Sequence, residues 1–346
     1  MLTQGKDDKV KKRKDWLRGG WCSAPLSWRG REKMKHLFIV NPTAGGKDKT
    51  ELVRRRVEEV FAGRDDSYEI YVTRAAMDAP DKIRRAAESG EPLHVYACGG
   101  DGTFNECVCG AAGLDNVAVC PYPTGTGNDF CRMFGDEKDL YRDLQALVEG
   151  SEHLIDLIEC NGRYCANICS VGIDARIGTD VHTYSKLPLI GGATGYVVSA
   201  VVNVLRGITR HMRIRCGDFS AEGENTLVCA CNGRFYGGGF NPSITARPDD
   251  GILDVFIVKK VSLLTLARLI GQYAAGKADD YPKYITHLRT DRVEISFEED
   301  NVVNIDGEAL FAKEVKMQLV PGAMKLVVPR GMRFFEDAPQ PAAATV

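Results

Sequence analysis

The fold of this chain is decided by the stretch Cys98-Gly99-Gly100-Asp101-Gly102-Thr103-Phe104-Asn105-Glu106, which follows the apolar run 93–97. Glycine has no Cβ and tolerates positive φ, so this turn brings bare backbone N–H groups within reach of an anion. A helix is predicted from about Thr103, and its N-terminus adds unsatisfied N–H groups and the positive end of its dipole. The stretch therefore predicts a phosphate-binding turn between a strand and a helix.

Asp101 is the unexpected residue in this turn, because a carboxylate repels phosphate oxygens unless a cation lies between them. A Mg²⁺ ion held by one carboxylate and by substrate phosphates resolves that conflict. The alternative is a tight structural turn whose carboxylate is solvated at the surface, since short glycine motifs also occur by accident.

Strand and helix signals alternate on both sides of the turn. Strands are predicted at 36–40, 68–73, 93–98 and 117–120, and helices at 52–61, 79–89, 103–112 and 139–149. This alternation predicts an α/β domain with a parallel sheet covered on both faces, and ligands then bind at the carboxyl ends of the strands. Three strands end there in similar loops: Asn41 to Lys47, Gly99 to Thr103, and Pro123 to Asp129. The loop before Lys47 lacks the spacing of a standard P-loop.

A second pattern begins near residue 152. Short β-rich runs separated by turns predict a mainly antiparallel domain, a sandwich or barrel, with helices near 195–206 and 262–273. Near its end, Asn304-Ile305-Asp306-Gly307-Glu308 presents two carboxylates, and in isolation this is typical of a solvated hairpin turn. We predict an arm at 1–35, a nucleotide-binding α/β domain at 36–151, a β-rich substrate domain at 152–332 whose last strands return to the first domain, and a disordered tail at 333–346.

Composition places the chain among ordinary globular proteins. Of its 346 residues 44% are hydrophobic, enough for two cores, and no stretch approaches the ~20 apolar residues that span a bilayer. The twelve cysteines include no C-x-x-C pair, which favours buried thiols over zinc ligands or disulfides. We expect a cytoplasmic protein with no nucleic-acid partner, and a homodimer remains open.

The basic arm differs from the rest of the chain. Residues 1–35 carry eleven Lys and Arg against four Asp and Glu, a net +7, which leaves −9 for the other 311 residues. All three tryptophans, Trp16, Trp21 and Trp28, lie in the arm. Such a segment is a disordered tail, a misassigned upstream start, or a contact with an anionic membrane surface, where basic residues and tryptophan are favoured. The last interpretation predicts peripheral membrane association.

With these motifs in place, the chain resembles the diacylglycerol kinase catalytic family, and the soluble bacterial lipid kinases within it, from about His36 to Gly331. Four ordered motifs carry the resemblance: Asn41-Pro42-x-Ala44-Gly45, Gly99-Gly100-Asp101-Gly102-Thr103-x-Asn105-Glu106, Pro123-x-Gly125-Thr126-x-Asn128-Asp129-Phe130, and Asp306-Gly307-Glu308. The first part of the second motif is shared with NAD kinases, whereas Asn105, Glu106 and the third motif look like lipid kinases.

The resemblance implies a nucleotide-binding α/β domain, a β-sandwich domain and an active site in the cleft between them. It implies ATP contacts by Asn41, Pro42, Thr43, Ala44, Gly45, Thr73, Gly99, Gly100, Asp101, Gly102, Thr103, Asn105, Glu106, Gly125, Thr126, Asn128 and Asp129. It also implies a catalytic Mg²⁺ at Asp101 and a structural Mg²⁺ at Arg247, Asp250 and Ile252. Glu308 matches the proton acceptor, with Asp306 as the other candidate.

The implied activity is transfer of the γ-phosphoryl group of ATP to the hydroxyl of a lipid such as diacylglycerol, which gives phosphatidic acid. Such a transfer needs positioned phosphates, a neutralising metal and a base near the attacking hydroxyl. The alternatives are an NAD kinase relative with a soluble substrate and an inactive nucleotide- or lipid-binding regulator. The sequence leaves open which lipid is phosphorylated.

Overall fold

The computed structural model describes residues 34–125, 127–177 and 207–336. Its strands are β1 Lys35–Val40, β2 Ser67–Val72, β3 Leu93–Gly99, β4 Val117–Pro123, β5 Ser151–Cys160, β6 Arg163–Cys165, β7 Ile168–Gly172, β8 Arg210–Cys216, β9 Phe219–Cys231, β10 Leu253–Lys259, β11 Ile285–Thr290, β12 Arg292–Ile305 and β13 Glu308–Val328. Its α-helices are α1 Thr50–Phe61, α2 Asp78–Ala87, α3 Asp101–Ala111, α4 Asp129–Arg132, α5 Leu144–Val148 and α6 Leu263–Ala274, and 3₁₀ turns cover Ala44–Gly46, Gly135–Arg142 and Ala278–Asp280.

The first half is an α/β unit with a parallel sheet. The strands lie in the order β2, β1, β3, β4, and each neighbouring pair is parallel. Every residue of β3 is buried, as expected for a strand covered on both faces. The helices present one apolar side to this sheet; in α1, Val53, Val57 and Phe61 repeat every four residues and are buried.

The second half is mainly antiparallel and forms the β-sandwich, which confirms the fold class predicted from the sequence. One core lies between its layers and includes Val171, Ile295 and Met317. A smaller core, including Phe256 and Tyr273, lies beneath α6. This helix begins after Ser262, whose hydroxyl caps it by accepting from the Thr265 N–H at 3.2 Å.

Strand β13 connects the two halves. Its first part pairs antiparallel with β12 and its second part, from Met317, pairs antiparallel with β5. Lys325 and Leu326 also pair in parallel with Ala118 and Val119 of β4. The sheet of the α/β half is therefore continued by a strand that begins in the sandwich.

Several local predictions differ from the structure. The helix expected at 139–149 is a 3₁₀ turn followed by α5, because the Asp143 side chain accepts from the N–H groups of Gln145 and Ala146 and starts a new helix. Helix α3 begins at Asp101, two residues earlier than predicted. Residues 1–33 of the arm, Thr126, the helix expected at 195–206 and the tail from 337 lie outside the described residues. Within the described ranges, no helix is both long and apolar enough to cross a bilayer.

Candidate functional site

The three glycine-rich loops predicted from the sequence meet at the carboxyl edge of the parallel sheet. Asn41 donates from Nδ2 to Thr103 Oγ1 at 3.1 Å, which joins the first loop to α3. The N–H groups of Thr124 and Gly125 both donate to the Gly99 carbonyl at 2.9 Å, which joins the second loop to the third. Backbone atoms of all three loops are thus held within one small region.

Glycine is required where these loops approach each other. Gly45 has φ of 71°, and a Cβ there would lie 2.8 Å from the Thr124 carbonyl oxygen. A Cβ on Gly125 would lie 2.5 Å from the Gly100 Cα. Both contacts are shorter than a side chain tolerates, so the edge is accessible as bare backbone, which suits close approach of phosphate groups.

Asp101 is the first residue of α3, and the surface-turn interpretation of its carboxylate is wrong. Its Oδ1 accepts from the N–H groups of Asp129 at 2.6 Å and Phe130 at 3.4 Å, so it caps the start of α4. Burial raises the pKa of Asp101, and these N–H bonds oppose the increase. The carboxylate is therefore fixed in place between two helix N-termini.

Asp129 links the two halves of the molecule. Its side chain is buried, and its Oδ2 accepts from the Gly238 N–H, on the sandwich side, at 2.7 Å. Arg132 Nε lies 3.0 Å from the Asp129 Oδ1. Burial, together with the nearby charge of Asp101, raises the pKa of Asp129 to about 6.

Asp306 lies in the turn between β12 and β13, and the structure excludes the simple solvated hairpin. Its Oδ2 accepts from the N–H groups of Ala166 and Asn167, both at 3.0 Å, and its Oδ1 accepts from the Ile168 N–H at 2.6 Å. The residue has φ of 47°, a strained value for a residue with a Cβ. Burial raises the pKa of Asp306 to about 7, although the three N–H groups stabilise the ionised form.

Glu308 differs from Asp306 although it lies only two residues away. It is exposed at the first position of β13, and no described residue donates a hydrogen bond to its side chain. Glu308 is therefore free to rotate toward a substrate, whereas Asp306 is fixed by the backbone of the segment 166–168.

One cavity of about 600 Å³ brings these groups together. Acidic side chains from both halves line it, namely Asp101, Asp129, Asp174, Asp306 and Glu308. Most of the remaining wall is apolar, and includes Phe104, Phe130, Ile173, Ile177, Leu227, Val258, Leu266, Leu269, Ile270 and Ile285. A cavity that combines acidic groups with a mostly apolar wall suits an amphiphilic ligand.

The loop at 247–252 lies outside the residues that line this cavity. The Asp250 carboxylate accepts from the Ile252 N–H at 3.1 Å and from Arg289 Nη2 at 3.2 Å. Arg247 forms a two-bond pair with Asp249 at 3.0 and 3.2 Å. Both acidic residues of this loop are thus paired with an arginine, and the proposed structural metal would have to compete with Arg289 for Asp250.

The other residues that were predicted to bind the nucleotide lie near the three loops. Thr73 donates from its N–H to the Val40 carbonyl at 2.9 Å, beside the first loop. Glu106 accepts from the Met77 N–H at 3.0 Å, on the outer side of α3. Asn105 is buried, and its Oδ1 has no hydrogen-bond partner among the described residues.

Sequence reasoning missed Lys49. Its Nζ donates to the Thr124 carbonyl, so its charge lies between the first and third loops. A lysine three residues after the Gly45-Gly46 turn is the signal that could have revealed it.

The acidic residues fit a magnesium ion that is shared with a phosphorylated ligand. Within residues 34–125, 127–177 and 207–336, no three acidic, histidine or cysteine side chains form a complete metal site. Mg²⁺ is usually held by one or two carboxylates plus phosphates. Burial raises the pKa of Asp101 and of Asp129, the latter with the charge of Asp101 as a second cause, and a bound cation would favour the ionised form of both.

Comparison with known families identifies both halves of the chain. Residues 35–160 match the model of the diacylglycerol kinase catalytic domain, and residues 167–328 match the YegS C-terminal NAD kinase beta sandwich-like domain. This chain carries a diacylglycerol kinase catalytic domain followed by a YegS C-terminal domain. The resemblance predicted from the four motifs is thereby confirmed, and the protein is an enzyme of the lipid kinase type.

The relatives of this lipid kinase family member span its length. A "Probable lipid kinase YegS-like" from Stenotrophomonas maltophilia is 27% identical over 303 residues, which covers 85% of this chain and 96% of that protein. A protein of the same description from Pseudomonas aeruginosa is 28% identical, covering 89% and 99%. A crystal structure of a diacylglycerol kinase from Bacillus anthracis has a TM-score of 0.64 at 24% identity, covers 86% of this chain and 98% of that one, and supports the fold.

Proposed function

We propose that this enzyme transfers the γ-phosphoryl group of ATP to the hydroxyl of a lipid alcohol such as diacylglycerol, giving phosphatidic acid. The observation that carries the proposal is the cavity, whose wall combines five carboxylates from both halves with a larger number of apolar side chains. A soluble acceptor such as NAD would not need a mostly apolar wall.

The three loops position the nucleotide. Backbone N–H groups around Gly45, Gly100 and Gly125, the N-terminus of α3 and the charge of Lys49 would bind its phosphates. Asp101, with Asp129 beside it, would hold Mg²⁺ against those phosphates, and the bound ion would neutralise charge that develops during transfer. The Asp250 carboxylate, with the backbone carbonyls of Arg247 and Ile252, would hold a second, structural Mg²⁺.

The acceptor hydroxyl reacts at the acidic part of the cavity. Its oxygen forms a bond to the γ-phosphorus, the bond from that phosphorus to the β–γ bridging oxygen breaks, and ADP leaves with the electron pair. The hydroxyl proton passes to Glu308, which is exposed and free to reach it. Asp306, which accepts three backbone N–H bonds, holds the turn that carries Glu308.

A direct test uses the full chain with radiolabelled ATP and Mg²⁺, offered diacylglycerol or NAD, with products separated by thin-layer chromatography. Labelled phosphatidic acid is the expected product. Labelled NADP would favour the soluble-substrate alternative, and no transfer to either acceptor, nor to glycerolipids, undecaprenol-like alcohols or sphingoid bases, would favour a binding regulator. The basic arm would add an electrostatic contact with anionic membranes, because basic residues are attracted to such surfaces.

A further inference from the structure

Helix α6 has more apolar surface than the protein interior covers. Its inner side lines the cavity through Leu266, Leu269 and Tyr273, and Tyr273 packs edge-on against Phe256 with ring centroids 6.2 Å apart. The helix therefore belongs to the wall of the lipid site.

The outer side of α6 is also apolar. Leu264 is 75% exposed, Leu263 is 50% exposed and Ile270 is 45% exposed. Leu263, Ala267 and Ile270 follow one another at spacings of four and three residues, so they share one side of the helix. Ile270 also lines the cavity, so the exposed apolar side is continuous with the inner one. A surface helix whose outer side faces water would carry polar residues at these positions.

The charges around α6 are opposite to the net charge of the chain. Segment 259–284 carries five exposed basic side chains, Lys259, Lys260, Arg268, Lys277 and Lys283, against Asp279 and Asp280, a net charge of +3 in a chain of net −2. Asp279 is also paired with His287 Nδ1 at 2.8 Å. Exposed leucines flanked by basic residues are typical of helices that lie in the interface of an anionic bilayer.

We propose that the outer side of α6, formed by Leu263, Leu264, Ala267 and Ile270, docks the enzyme on an anionic phospholipid bilayer and places the cavity entrance at the membrane surface. The inference rests on the proposed lipid kinase function. Because the same helix lines the cavity and faces the membrane, a lipid would move its apolar tail along α6 without crossing bulk water, while its hydroxyl approaches Glu308. The inference is independent of the arm.

The test compares the full parent chain with the double variant Leu263→Gln, Leu264→Gln, whose side chains are exposed and do not line the cavity. Leu52→Gln on α1 is the matched control, because Leu52 is 47% exposed on the other half. Binding is measured by cosedimentation with vesicles that contain phosphatidylglycerol and with vesicles of phosphatidylcholine alone. All three chains keep the arm, so a difference between them reports on α6.

We expect the double variant to bind anionic vesicles about tenfold more weakly than the parent, and Leu52→Gln to bind like the parent. Phosphorylation of diacylglycerol in vesicles should fall with binding, while phosphorylation of a dispersed short-chain diacylglycerol stays at the parental rate. Unchanged vesicle binding by the double variant would overturn the proposal. So would a parent that is dimeric by size-exclusion chromatography and a variant that is monomeric, since a second copy would then cover α6. A parent that phosphorylates neither form of the lipid refutes the proposed function, whereas the cosedimentation result stands by itself.

Discussion

The carboxylates of Asp101 and Asp306 are both held by hydrogen bonds from backbone N–H groups, but the donors lie at very different distances along the chain. Asp101 accepts N–H bonds from residues 28 and 29 positions later, within the α/β half. Asp306 accepts them from residues 138 to 140 positions earlier, across the sandwich. In both turns the backbone fixes the carboxylate before any ligand arrives. Among the catalytic candidates, Glu308 alone accepts no such bond from the part of the chain that the structure describes. The comparison separates fixed charges that organise the site from one mobile group that can accept a proton.

The strongest test of this contrast is Glu308→Gln. If the free carboxylate is the base, kcat should fall by roughly 10²- to 10⁴-fold with little change in ATP binding or melting temperature. Glu314→Gln, an exposed position on the same strand, is the control and should behave like the parent. A normal kcat for Glu308→Gln, combined with a large loss for Asp306→Asn, would assign the base to Asp306.

Asp101→Asn is the second test, and it asks whether the negative charge of the fixed carboxylate is needed for activity. The amide oxygen can still accept from the N–H groups of Asp129 and Phe130, so the fold should persist while the charge that holds Mg²⁺ is lost. We expect kcat to fall about 10²- to 10³-fold, measured at saturating Mg²⁺ and ATP. Asp139→Asn, at an exposed side chain paired with Arg142, should leave kcat unchanged. Activity of Asp101→Asn within a few-fold of the parent contradicts the metal role.

A third experiment uses the pKa of Asp306. Since the folded value of about 7 lies above the ordinary value of 3.8, the folded state binds more protons between these limits. Its contribution to the free energy of unfolding is therefore largest at low pH and is lost as the pH rises toward 7. In urea unfolding, the change between pH 5 and pH 8 should be smaller for Asp306→Asn than for the parent by about 2 kcal/mol. Parallel curves for the two proteins would mean that Asp306 stays ionised throughout.

The smallest expected effect concerns the loop at 247–252, where the carboxylate is paired with an arginine rather than held by backbone N–H groups alone. If Mg²⁺ binds there, Mg²⁺ should raise the melting temperature of the parent by a few degrees, as expected for ~1 kcal/mol of ligand stabilisation. Asp250→Asn should lose this increase. Arg289→Gln removes the competing partner and keeps the carboxylate, so it should retain or enlarge the increase. The same increase in Asp250→Asn as in the parent would exclude the structural metal.

The sequence predicted the α/β half well because its determinants are local. Each loop at the carboxyl edge directly follows its own strand, and parallel pairing is enough to place Asn41, Gly99 and Gly125 side by side. The hydrogen-bond partners of Asp306 could not be predicted in this way. The three donating N–H groups belong to the segment 166–168, which is brought to Asp306 by strand pairing in the sandwich and not by any local sequence pattern. The return of the last strands to the first domain was predicted, but the bounds of the long strand β13 were not, for a related reason. This strand is interrupted by Pro321 and Gly322 and shifts register between Val320 and Met324, so it lacks a continuous alternation of apolar and polar residues.

The path of β13 also sets an order for synthesis on the ribosome. Strand β4 is complete by residue 123, yet one of its edges is paired by Lys325 and Leu326, which are made some 200 residues later. Until then the nascent α/β half presents a row of unsatisfied backbone groups along a buried, apolar strand, which is the kind of surface that other chains can pair with. The α/β half therefore cannot complete its sheet until β13 has been translated. Slow translation between the two halves would prolong the interval in which the growing chain can aggregate.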